Sequence, residues 1–283
     1  PGLIDLLGEY AATLGARPFV LVDQQIWPLL QEQVERALAE SSLEATVELF
    51  QGECSLVEIE RASRAAKSRS CDVVVGLGGG KTLDTAKGVA RETGHRLLIA
   101  PTIASNDAPT SRLVVVYHED GSYSQTLRLP RNPDMVVVDT RIIAQAPSRF
   151  LVAGMGDALG TWVEADACFK TRAPNLAGGT STMAAMAIAQ LAYQVLMEHG
   201  VEARRAVERH IVTPAVEKVV ETNVLLSGLG FESGGVATAH MVANCLPSFP
   251  ECHGLMHGHE VGFGVITQLC LDDDLDVELM YDI

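Results

Sequence analysis

The first 140 residues alternate short β-branched runs with amphipathic stretches, and that alternation admits few folds. "FVLVD" (19–23) is strand-like, and "IWPLLQEQVERALAE" follows it with helical spacing. "ATVELF" (45–50) is a second strand, and Ser55-x-x-Glu58 reads as a capping box opening the next helix. "DVVVGLG" (72–78) is a strand, "KTLDTAKGVARET" a helix and "RLLIAPT" (96–102) a strand again. Strands separated by helices pair in parallel, so the pattern predicts a doubly wound α/β sheet. "VVVYHEDGSYSQTL" predicts a hairpin around Asp120-Gly121, and "MVVVDT" (135–140) a further strand.

Beyond Pro147 the β-branched runs give way to alanine, leucine and methionine. "STMAAMAIAQLAYQVLMEHG" (181–200) is apolar nearly all round and predicts a buried helix. Thr213-Pro214 is an N-cap followed by proline at the first helical position. The expected organisation is an α/β nucleotide-binding domain over 1–147 and an all-α domain over 148–283.

Charge narrows the partners. The formal net charge is −15 over 283 residues, which repels nucleic acid and anionic membrane. No apolar run reaches the ~20 residues that span a bilayer. Six scattered cysteines without a C-x-x-C pair read as reduced thiols of a cytoplasmic protein.

"GLGGGKTLDTAK" carries the first chemical signal. It satisfies neither glycine pattern for nucleotides. A P-loop would need its first glycine at Val75, and the dinucleotide fingerprint counted from Gly76 reaches Lys81 where it needs glycine. Gly78, Gly79 and Gly80 still let backbone approach a ligand, and the following helix start can face a pyrophosphate. A plain tight turn is the alternative. Asp23 ends the first strong strand, where an acid can bind the adenine ribose and repel a 2′-phosphate. Its alternative role is an N-cap.

The second signal is a group of histidines: His240 in "TAHMVAN", and His253, His257 and His259 in "PECHGLMHGHEVGFG". Asp157 lies in an otherwise apolar helix opening, where a carboxylate must be hydrogen-bonded, paired or metal-bound. One Asp with two His leaves tetrahedral zinc an open position. Spacing does not select the histidines, and buried or solvated imidazoles are the alternative.

"GLGGGKTLDTAK", "APTIASNDAPTS", "GMGDALGTWVEA", "GFESGG", "TAHMVAN" and "MHGHEVGFG" occur in this order. Together they resemble the glycerol dehydrogenases of the metal-dependent group III, or iron-containing, alcohol dehydrogenase family, over essentially the whole chain. The resemblance implies the family's dehydroquinate synthase-like fold and NAD-dependent oxidation of glycerol and related vicinal diols to the ketone by hydride transfer. It implies that Gly78, Gly79, Gly80 and Lys81 lie at the NAD pyrophosphate and Asp23 at the adenosine ribose. Thr102 and Ser105 would line the cofactor's place, with Ser111, Leu113 and Tyr117 on the nicotinamide side. Asp107 would hydrogen-bond the polyol. Asp157, His240 and His257 would ligate Zn²⁺, or Fe²⁺, which the same donors suit; His240 would also face the substrate. A cytoplasmic homo-oligomer, an octamer in the family, is the implied assembly.

The chain departs from the family in places. Arg112 stands where a small residue is common, Ala243 and Cys245 replace the customary His and Gly, and His259-Glu260 replaces Glu-Lys. Set against the family, a strand before Pro1 and helices beyond Ile283 are missing, so the helical domain is expected to be incomplete. Alternatives on the same fold are a glycerol-1-phosphate dehydrogenase or a dehydroquinate synthase-like lyase, both needing a basic phosphate pocket. A non-catalytic homologue is the third.

Overall fold

The computed structural model describes residues 1–271, which divide into two compact units. The first takes residues 1–103 and 108–143; the second takes 104–107 and the chain from 144 onward.

In the first unit, α1 (Leu7–Ala12), β1 (Pro18–Asp23), α2 (Trp27–Glu40), β2 (Thr46–Phe50), α3 (Leu56–Ser68), β3 (Val73–Gly78), α4 (Gly80–Thr93) and β4 (Arg96–Pro101) follow in alternation. After them come β5 (Leu113–Tyr117), β6 (Tyr123–Arg128) and β7 (Met135–Val136). Five strands form one parallel sheet in the order β2-β1-β3-β4-β7. Side chains alternate across it, as the strand period of two demands. Phe19 and Leu21 of β1 face α3 and α4, joining Ile59, Ala62, Leu83, Ala86 and Val89. Val20 and Val22 face the opposite layer, with Leu7, Leu30, Val34 and Leu38 of α1 and α2. Both faces of the sheet are thus covered, which explains why its strands read as continuous apolar runs.

Two local expectations need correction, and a third is met. The run 135–140 yields only a two-residue strand, because pairing with β4 stops at Val136. Ser55 caps α3 by accepting from Glu58 N at 3.1 Å, but the reciprocal half of the box is absent. The Glu58 carboxylate instead accepts from Gln51 N (3.0 Å) and from Arg61 (2.7 Å). The predicted hairpin forms as β5–β6, a separate antiparallel pair, with Gly121 at φ +84° in its turn.

The second unit is helical. After α5 (Thr140–Gln145) come α6 (Ser148–Thr171), α7 (Met183–Val207) and α8 (Pro214–Glu221). A π-helical turn over Thr222–Leu226 leads into α9 (Ser227–Gly234), followed by α10 (Thr238–Cys245) and α11 (His257–Leu271). Thr213 caps α8, its Oγ1 accepting from Val216 N at 3.3 Å. The expectation of a buried α7 is wrong in part. Ala185, Ala189, Ala192, Leu196 and Ala203 are buried on one face, whereas Met183 and Val201 are 89% and 65% exposed. Alanines and Leu196 pack inward on α7, while Met183, Leu191, Met197 and Val201 are exposed.

Glycine brings α6, α10 and α11 close. A Cβ on Gly258 would lie 1.7 Å from the Ala153 carbonyl oxygen, and one on Gly156 2.3 Å from that of Gly258. A Cβ on Gly264 would lie 2.2 Å from the Ala239 carbonyl oxygen. Backbones therefore touch where side chains would normally keep helices 8–10 Å apart.

Candidate active site

Asp157 sits on α6 beside Gly156, and His257 opens α11 beside Gly258. The two glycines that let these helices touch thus set the spacing of the neighbouring side chains. His240 comes from α10. One ligand atom from each of Asp157, His240 and His257 lies within 4.8 Å of the others. Asp157 Oδ1 is 3.8 Å from His240 Nε2 and 3.6 Å from His257 Nε2. The imidazole rings are 5.5 Å apart, tilted by 54°. Neither His253 nor His259 joins this set.

Burial grades across the three: the side chains are 1%, 15% and 42% exposed for Asp157, His240 and His257. Asp157 Oδ2 accepts from Asp107 N at 3.2 Å. Asp157 Oδ1 is buried without a hydrogen-bond partner. A buried carboxylate oxygen without a hydrogen bond is costly, and this one lies within ion-pair distance of two imidazole nitrogens. One carboxylate oxygen and two nitrogens match the donor set of a divalent ion with an open position. The residues present therefore fit such an ion.

Electrostatics agree. Burial alone would lower the His240 pKa, but Glu164 at its Nδ1 and the charges of Asp157 and Asp107 outweigh it and raise it to about 9. For His257 burial is likewise overcome, by Glu260 and Asp157, and its pKa is raised. These carboxylates favour a proton on His240, which a cation entering the site would displace.

Asp107, in the same unit, is tied to Ser227, whose Oγ donates to Asp107 Oδ2 at 3.2 Å. The Ser227 hydroxyl also lies 2.9 Å from Thr161 Oγ1. Asn223, in the π-helical turn, donates to the carbonyls of Ala104 and Leu151, both at 3.0 Å. The added residue of a π-turn re-aims side chains and is common at functional sites. Here it fixes segment 104–107, which also carries Ser105.

The first unit holds the other set. Asp23, at the end of β1, accepts from Gln25 N at 2.8 Å in an Asx turn. It does not cap α2, whose N-cap is Ile26. Gly78 ends β3 so close to Asp23 that a Cβ there would be 3.1 Å from that of Asp23. The sheet order reverses between β1 and β3, and ligands of open α/β sheets bind at the strand ends beside such a point. Gly79 is the N-cap of α4 and Gly80 its first residue, with no side chain capping the helix start. Buried Thr82 Oγ1 has no hydrogen-bond partner there. Free N–H groups at a helix start suit a pyrophosphate. Lys81 pairs with Glu53 and lies 5.6 Å above the Tyr117 ring. Thr102 donates its N–H to the Gly78 carbonyl at 3.0 Å.

Two groups that sequence reasoning missed stand behind these. Lys87 is 0% exposed, and its Nζ donates to Asp84 Oδ1 (2.9 Å), to the Leu113 carbonyl (2.8 Å) and, at 3.5 Å, to Ser111 Oγ. Asp84 Oδ2 accepts from Val115 N at 2.9 Å. The signal was a charged i,i+3 pair inside a helix of small residues. Glu164, fully buried on α6, is the other. It follows Asp157 by two helical turns and so shares its face.

The iron-containing alcohol dehydrogenase family matches residues 1–140. The chain is 50% identical to a glycerol dehydrogenase of Thermotoga maritima over 273 residues, covering 96% of the chain and 74% of that protein. A glycolaldehyde reductase of Halobacterium salinarum is 44% identical, with 96% and 75% covered. A crystal structure of a probable glycerol dehydrogenase from Sinorhizobium meliloti superposes with a TM-score of 0.92 at 48% identity, covering 99% of this chain and 77% of that one.

Proposed function

Because the chain belongs to the iron-containing alcohol dehydrogenase family, we propose that it oxidises glycerol and related vicinal diols to the corresponding ketones with NAD and a divalent cation. The observation that carries this reading is Asp157 Oδ1, buried without a hydrogen bond and facing the Nε2 atoms of His240 and His257. These three side chains would hold the cation, with zinc favoured by the donor set and Fe²⁺ compatible.

When bound, the cation supplies Lewis acidity that lowers the pKa of an alcohol, and NAD supplies the hydride acceptor. The protein supplies position. Asp107 binds a hydroxyl adjacent to the reacting carbon, its carboxylate steadied by Ser227. Its own N–H turns Asp157 Oδ2 away from the donor set and leaves Oδ1 to it. Gly79, Gly80 and Lys81 hold the pyrophosphate, and Asp23 holds the adenosine ribose and disfavours a 2′-phosphate. Thr102, Ser105, Ser111, Leu113 and Tyr117 line the rest of the cofactor's place. Six scattered cysteines without a C-x-x-C pair suit a reducing, cytoplasmic setting.

The test is NADH formation by metal-stripped protein reloaded with Zn²⁺ or Fe²⁺. Glycerol, 1,2-propanediol and glycerol 1-phosphate are the substrates, and glycolaldehyde and dihydroxyacetone are offered in reverse. Metal-dependent turnover of glycerol with NAD exceeding that with NADP is expected. Exclusive turnover of the phosphorylated polyol, or none with either cation, overturns the reading. The Halobacterium relative makes glycolaldehyde reduction the second reading, and preference for that aldehyde over dihydroxyacetone would establish it.

A further inference from the structure

Glu164 has no exposed surface, and its oxygens are spent on the start of α10. Oε1 accepts from Ala237 N at 2.7 Å and from His240 N at 2.8 Å. Oε2 meets His240 Nδ1 in a short hydrogen bond. One carboxylate thus secures the backbone at the start of α10 and the imidazole that α10 carries. No side chain of α10 itself caps this helix start.

The contact at Nδ1 has a consequence at the other end of the ring. An ionised carboxylate only accepts, so Nδ1 must carry a hydrogen. A neutral imidazole has a single N–H, which leaves Nε2 with its lone pair free. That Nε2 is the atom facing Asp157 Oδ1. Phe231 stacks on the same ring at 6.5 Å and 18°, which limits its rotation. Gly160, one turn before Glu164, lets α11 pack close beside the pair: a Cβ there would lie 2.7 Å from Val261 Cγ1. The second imidazole has no equal clamp, since Glu260 Oε2 is 3.9 Å from His257 Nδ1.

The geometry points to Glu164 as the positioning residue of the cation site: it fixes the Nδ1–H tautomer of His240 and presents Nε2 as a ready donor. The inference rests on the metal-site reading above. An orienting carboxylate behind a ligating histidine typically changes metal affinity by about 10–100-fold.

The informative substitution is Glu164→Gln. Glutamine keeps one carbonyl oxygen for the two backbone N–H groups, so the start of α10 retains its acceptor. Its amide N–H₂ then faces His240 Nδ1 and demands a lone pair there. The hydrogen moves to Nε2, and the donor is lost. Zinc affinity is read by competition with a chromophoric chelator, alongside melting of the chelator-treated protein. The expected result is affinity reduced about 10–100-fold with little change in metal-free melting. The zinc-loaded unmodified protein, labelled with ¹⁵N-histidine, should show a low-field imidazole N–H proton assigned to Nδ1 of His240, missing from the variant. Equal zinc affinity in the two folded proteins overturns the assignment. If the variant does not fold, the unmodified protein decides alone: a zinc-loaded His240 without a hydrogen on Nδ1 overturns it too. Failure of the unmodified protein to take up zinc would sink the metal-site reading itself, and so separates the two failures.

Discussion

Lys87 and Asp84 show how a charged pair can be held inside an apolar layer. Lys87 is fully buried and Asp84 nearly so. Burial pushes the Asp84 pKa up, opposed by the adjacent Lys87 charge and the Val115 N–H. The pair bonds Leu113 and Val115 of β5 to α4, and through Leu113 and Ser111 it supports residues proposed to face the nicotinamide. Removing one partner strands the other as a buried, unpaired charge. Lys87→Met should therefore cost about 3–5 kcal/mol, read as a shift in the urea midpoint at unchanged slope. Adding Asp84→Leu should recover much of that loss. Additive losses in the double variant would show that the two charges are not coupled.

Among the elements, α6 and α11 have little freedom, because their contact is backbone on backbone. Gly258→Ala would place a methyl 1.7 Å from the Ala153 oxygen, and the helices must separate. We expect a cost of about 2–3 kcal/mol and a marked loss of zinc affinity, since Asp157 and His257 each adjoin a glycine of the contact. Gly262→Ala on the same helix is the control. Its nearest neighbour would be the Gly156 Cα at an ordinary 3.7 Å, so calorimetry should find it neutral or stabilised by helix propensity. These elements also mark what the sequence could disclose. The sheet of the first unit was legible because strand runs with both faces buried stay apolar throughout. The length of β7 was not, since pairing with β4 rather than propensity ends it. The outward apolar residues of α7 were illegible because a ring of alanine and methionine carries no polarity to mark its exposed side. Asp157 stood out as a carboxylate in an apolar helix. Spacing did not select His240 and His257 over His253 and His259, and only the family resemblance did, because the three side chains come from three helices brought together by glycine contacts far apart in sequence. Glu164 lay inside a motif already quoted, yet only the folded chain shows which imidazole it meets.

For the molecule as a whole, the proposed cation links stability to pH. With net charge −15 the chain attracts cations of every kind, so selectivity must come from the donor set, and loading exchanges a proton for the metal. In the metal-free protein His240 holds its proton up to about 9, against 6.5 for an unperturbed histidine. A raised pKa stabilises the folded metal-free form fully below 6.5, and that contribution is lost as pH rises through about 9. The zinc-loaded form needs the neutral imidazole, so protons compete with loading by about tenfold in apparent affinity per pH unit for each proton released. The two effects add: alkaline conditions weaken the stripped protein while they strengthen loading. Zinc at a hundred times its dissociation constant adds about 2.7 kcal/mol, and at fixed zinc this increment should grow from slightly acidic pH toward pH 9. Calorimetry with chelator and with zinc, across that range, reads the difference directly. An increment indifferent to pH would mean that no proton leaves His240 when the cation enters, and hence that its Nε2 is not a donor.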